Sequence, residues 1–171
     1  MDFLAEIAKE RLRRAADSVR ADNPDWIGDT GFRTFKLDHS NIRTWQPTGD
    51  LERDLVDSIE HILPDRSEDD ILTELLLKLG LDLCVPIEQR EISGSTVHAI
   101  GGGVLMASLG GKISRDGAEP LALGIAEWHR ELDPVGDTTC VFRDSAFEND
   151  EAKTNLAAIL EQHGIRHVRS L

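Results

Sequence analysis

Residues 138–171 read TTCVFRDSAFENDEAKTNLAAILEQHGIRHVRSL, and this stretch decides the fold. Thr138 to Phe142 is a short apolar and β-branched run, closed by the charged pair Arg143-Asp144. Asp150 is placed to cap a helix in which Leu156, Ile159, Leu160 and His163 recur at helical spacing. Gly164 is expected to end that helix in a left-handed conformation, and Ile165 to Leu171 supplies a second strand. A strand, a crossover helix and another strand imply parallel pairing.

Upstream, the same alternation continues. Val104 to Leu109 is an apolar run suited to an interior strand, and a helix over Pro120 to Arg130 follows it. From Val104 the order is therefore β-α-β-α-β, the pattern of a mostly parallel sheet flanked by helices, so the fold class is α/β. Gly94 lies between Ile92 and Val97 in a predicted hairpin. Leu83, Val85 and Ile87 alternate around Pro86, which suits only an edge strand.

Residues 50–80 read as a helical hairpin. Asp50 opens its first helix and Pro64 ends it. Ser67 and Asp70 form a capping-box pattern for the second. In that second helix Ile71, Leu72, Leu75, Leu76 and Leu79 are expected to be buried, with Gly80 as the stop. Gly31 to Leu37 (GFRTFKL) is predicted as a strand, and residues 3–19 as an amphipathic helix with Leu4, Ile7, Ala8, Leu12, Ala15 and Val19 on its apolar side. The expected division is an N-terminal piece, 1–45, and an α/β domain, 46–171.

The formal net charge of −13 over 171 residues argues against a chain whose main task is gripping phosphate backbones. Residues 1–20 are the exception: five Lys and Arg against four Asp and Glu leave them at +1 and the remainder at −14. Arg13 and Arg14 are thus the candidate DNA-facing residues, although a solvated face of i,i+4 pairs explains them as well. No apolar run approaches a membrane span. There is no signal-peptide pattern, and the two cysteines, Cys84 and Cys140, sit in apolar segments. The expectation is a cytoplasmic protein with reduced thiols and no membrane contact.

Sites of chemistry are sparse. Gly101-Gly102-Gly103 precedes a strand, and Gly110-Gly111 lacks the third glycine of a dinucleotide loop, so both read as tight turns. The six histidines have no metal-ligand spacing, and no metal or catalytic set is expected. The polar set that stands out is Arg143, Asp144, Lys153 and Asn155, placed by the pattern at the C-terminal end of a parallel strand and the first turns of the next helix. That is where open α/β sheets bind ligands, and equally where salt bridges lock a loop.

In order along the chain, several words resemble the C-terminal part of the modification (Mod) subunit of type III restriction–modification systems, which are adenine-specific DNA methyltransferases. They are Ala5 to Arg14, Gly31 to Asn41 (GFRTFKLDHSN), Leu75 to Leu83, Gly101 to Gly103, Phe142-Arg143-Asp144 with Lys153-Thr154-Asn155, and Val168 to Leu171. The resemblance implies that residues 1–45 are the tail end of a methyltransferase fold. It also implies that the rest is an assembly domain serving self-association and docking to Mod or restriction (Res) subunits, with DNA reached only through the complex. The family's target-base and S-adenosylmethionine loops have no counterpart here. Asn23-Pro24-Asp25-Trp26 has Asp25 where the base-flipping loop needs a second proline. No catalytic residue and no cofactor is therefore carried over. S-adenosylmethionine is implied for the full-length family only. The alternative is a standalone small α/β enzyme or nucleotide-binding domain using the Arg143/Asp144/Lys153 edge.

Overall fold

A short apolar strand, Leu105–Ser108, lies at the centre of a five-stranded sheet in the computed structural model, and all four of its residues are buried. The structure describes residues 3–43 and 62–171, so the first helix expected over 50–63 lies almost wholly outside the described residues. The chain divides into two units, residues 1–38 and 39–171.

In the larger unit the elements run α2 (Glu68–Leu79), β1 (Ile87–Ile92), β2 (Ser95–Ile100), β3 (Leu105–Ser108), α3 (Arg115–Leu132), β4 (Thr139–Phe142), α4 (Asp150–Gln162) and β5 (His167–Ser170). The strand order is β1-β2-β3-β4-β5. The β1–β2 and β2–β3 pairs are antiparallel, while β3–β4 and β4–β5 are parallel. The β-α-β-α-β expectation therefore stands, extended by a hairpin at one edge. Ser93 and Gly94, both at positive φ (51° and 77°), form the two-residue turn of that hairpin, the backbone that matches strand twist.

Side chains alternate across the strands and so build two cores. Val97, Ala99, Met106, Cys140 and Phe142 face α3 and α4, which supply Leu121, Ile125, Trp128, Leu156 and Leu160. Ile100, Leu105, Ala107 and Val141 face α2, which supplies Ile71, Leu72, Leu75 and Leu76. Leu79 was expected among these but is exposed, since the helix turns it past the edge of the contact. Gly124 permits close packing of α3 on β1: a Cβ there would meet Ile92 Cγ2 at 2.3 Å.

Helix ends follow local chemistry with small shifts. Ser67 and Asp70 form the expected capping box, and Gly80 closes α2 in the left-handed region. Ser114 caps α3, so this helix begins before Pro120, which lies inside it. Asn149, not Asp150, caps α4, its side chain accepting from Ala152 N–H at 2.9 Å. His163 is the exposed C-cap residue, not a core position.

A connection that the helical pattern does not reveal ties residues 40–42 to α2. The Ser40 hydroxyl donates to Glu74 Oε1 at 2.6 Å and the Asn41 N–H to Glu74 Oε2 at 2.7 Å. Asn41 Nδ2 also donates to the Asp70 carbonyl at 2.9 Å, and Ile42 bridges to Ile62.

In the smaller unit α1 (Phe3–Asp22) has no buried residue. Asn23 stops it by donating from both its backbone N–H and Nδ2 to the Val19 carbonyl. Residues 31–37 form no strand. Alternation alone does not make one, because a strand needs a neighbour for its N–H and C=O groups, and the described residues of this unit contain no sheet.

Candidate functional site

The predicted polar set lies at the C-terminal ends of β4 and β5, and the structure divides it. Lys153, one turn into α4, places Nζ 2.5 Å from Asp144 Oδ1 and 3.0 Å from Ser170 Oγ. It thereby joins the end of β4, the end of β5 and the helix between them. Arg143 Nε donates to Ser145 Oγ at 2.7 Å within its own turn. Asn155 is elsewhere. Two residues beyond Lys153 means about 200° around the helix, and it lines an open groove between α3 and α4 with Arg115, Glu119 and Gln162. Sequence proximity could not separate the two faces.

The rim is closed by backbone. Ile113 N–H donates to the Ala146 carbonyl (2.8 Å) and Glu148 N–H to the Ile113 carbonyl (3.0 Å), zipping together the loops that follow β3 and β4. Asp144 N–H donates to the Leu171 carbonyl at 3.0 Å and Leu171 N–H to the Phe142 carbonyl at 2.8 Å. Open α/β sheets form ligand crevices where successive crossovers turn to opposite faces. Here α3 and α4 pack into the same core, so successive loops stay adjacent and bond to each other. The Lys153–Asp144 pair is about half exposed and serves as a loop staple worth about 0–1 kcal/mol.

The buried polar groups that sequence reasoning passed over lie in the interior. His98 on β2 is buried, its Nε2 has no hydrogen-bond partner among the described residues, and Glu68 Oε2 at the start of α2 stands 3.8 Å away. The Glu68 carboxylate occupies the space above Gly110, where a Cβ would lie 1.6 Å from Oε1. His129 Nε2 donates to Thr138 Oγ1 at 2.9 Å, because that hydroxyl gives its own proton to the Gly103 carbonyl at 2.8 Å. Burial lowers the His129 pKa, and Asp133 partly opposes this. Histidine in a strand pattern gives no signal of burial by itself.

Burial pushes the Cys140 thiol up to about 12, so it is a packed apolar group and not a nucleophile. In the native protein, exposed Cys84 should react with a thiol reagent while Cys140 stays silent until unfolding, as read by mass spectrometry of the labelled peptides. Fast native labelling of Cys140 would contradict this packing. Among the described residues no group of three or more His, Cys, Asp or Glu is placed to hold a metal ion, and no helix is long and apolar enough to cross a membrane.

In the smaller unit, Arg13 and Arg14 point differently. Arg14 Nε is bound to Glu10 Oε1 at 2.8 Å, whereas Arg13 Nη1 is 3.9 Å from Glu10 and lines a groove of about 490 Å³ between α1 and residues 30–34.

The fold and its sealed strand ends define an α/β domain with a mixed sheet, covered by helices on both faces. No protein-family model, no curated protein and no solved structure matches the chain.

Proposed function

We propose that the chain is a non-catalytic assembly module of the kind found at the C-terminus of type III modification subunits, acting by self-association and by docking to a restriction or methyltransferase subunit. The observation that carries this reading is α1, a helix of 20 residues with no buried residue, whose Leu4, Ile7, Leu12 and Val19 are all exposed. An amphipathic helix draws its stability mainly from a surface that covers its apolar face. The sealed rim supports the same reading, because the Lys153 and Asp144 charges that a ligand would need are already joined to each other.

Light scattering coupled to size exclusion tests this reading. The wild type should run above monomer mass at micromolar concentration, and Leu4→Asp combined with Leu12→Asp should return it to monomer. Calorimetry with S-adenosylmethionine should show no stoichiometric uptake. A monomeric wild type, or one-to-one uptake of the cofactor, counts against the proposal.

A further inference from the structure

We infer that the groove between α1 and residues 30–34 is a binding site for a phosphate-bearing anion. Lys9, Arg13 and Arg20 all line it. At about 100° per residue these three positions fall within roughly 40° of one another around the helix, so they form one stripe spread along about 16 Å of its length. The opposite wall carries Thr30, whose Oγ1 is buried and has no hydrogen-bond partner among the described residues. Its hydroxyl therefore carries an unused donor in the wall of the groove.

The cations are available. The guanidinium of Arg13 is 3.9 Å from Glu10 and that of Arg20 is 3.8 Å from Asp17, distances of loose ion pairs and not of hydrogen bonds. Both side chains are more than half exposed. Lys9 is held more firmly, 2.8 Å from Glu6. Asp17 also lines the groove and opposes an anion, so the site is weak in proportion and responds to salt. Phosphate groups are the chemistry that fits: several negative oxygens matched to two forked guanidiniums, an ammonium and a hydroxyl. The −13 of the whole chain does not exclude this, because surface charges more than about 10 Å apart are largely screened from each other at ordinary salt.

Two probes distinguish the sources of such a group: inorganic pyrophosphate, followed by calorimetry, and a short fluorescent single-stranded oligothymidylate, followed by anisotropy. Both are tested on the full chain from about 0.1 M salt upward, where that screening holds. At least one should bind, with affinity falling as salt rises. A slope of about −2 on logarithmic axes is expected for the oligonucleotide if three phosphates are neutralised. Arg13→Ala with Arg20→Ala should weaken binding at least tenfold, and Asp17→Asn should tighten it severalfold. Arg14→Ala, on the residue bound to Glu10, should leave it unchanged. Binding of pyrophosphate alone assigns the site to a small phosphate ligand, and binding of the oligonucleotide alone assigns it to a nucleic-acid strand. The inference is overturned if neither binds, if the double variant binds as well as wild type, or if Arg14→Ala loses as much as the double variant.

Discussion

Replacing Glu74 by Gln should destabilise the larger unit by about 2 kcal/mol near neutral pH, and most of that loss should disappear in acid. Glu74 is on α2, and its side chain is only 17% exposed. Burial by itself raises its pKa. Hydrogen bonds from Lys78, from the Ser40 hydroxyl and from the Asn41 N–H outweigh that and bring it from 4.5 to about 2. A folded-state value below the unfolded one means that the stabilisation is fully present above pH 4.5 and is lost as pH falls through about 2. The full linkage would be about 3 kcal/mol. The Lys78 partner is half exposed, so solvent screening reduces it to about 2. The amide cannot reproduce the contact, because one of its two polar atoms becomes a donor facing donors. Urea unfolding of wild type and Glu74→Gln near pH 7 and near pH 3 reads this directly, with the gap at the lower pH less than about half that at the higher. A gap that is the same at both would show that packing, not charge, carries the effect. Ser40→Ala should cost about 1 kcal/mol, since it removes one of the three donors.

That contact also shows where sequence reading stopped. The capping box at Ser67 and Asp70, the left-handed Gly80 and Gly164, and the buried strand at Leu105–Ser108 are local: each is set by residues within one turn or one strand. The order of the parallel strands followed from them, because a helix between two strands leaves few topologies. Glu74, by contrast, is bound by Ser40 and Asn41, more than thirty positions away, and no periodicity encodes such a partner. The candidate site was legible in part for the same reason. Asp144 and Lys153 do meet at one strand end, while Arg143 bonds within its own turn. Yet the loop-to-loop bonds of Ile113 with Ala146 and Glu148 that seal this end join segments whose approach depends on both crossovers taking the same face. The alternation of GFRTFKL misled because it reports two faces and says nothing of a pairing strand.

Trp128→Ala should be more damaging than Glu74→Gln, at about 3–5 kcal/mol, while Trp128→Phe should cost less than about 1.5 kcal/mol. Trp128 is 1% exposed, on the face of α3 that meets the sheet. Truncation to Ala leaves a cavity among Ile125, Val97 and their neighbours, and close-packed surroundings relax only partly around it. It also removes the ring under Arg90, whose guanidinium lies 4.7 Å from the ring centroid and 2.6 Å from Glu131. That stacked cation contributes about 0.5–1 kcal/mol at a partly exposed site. Phenylalanine keeps much of the volume and a face for Arg90. It also removes a defect, since Trp128 Nε1 is buried without a hydrogen-bond partner among the described residues. An unsatisfied donor of this kind costs about 1–3 kcal/mol, which offsets much of the area lost with the second ring. The two variants therefore separate two properties of one side chain, its bulk and its unbonded N–H. Urea midpoints at constant slope give the comparison, and equal losses for Phe and Ala would refute the offset. The consequence reaches the sheet edge. Trp128 and Arg90 hold β1 against α3, and β1 is an edge strand whose outer N–H and C=O groups have no strand neighbour among the described residues. Loosening it in Trp128→Ala should increase aggregation on mild heating, and Arg90→Ala should reproduce a small part of that effect.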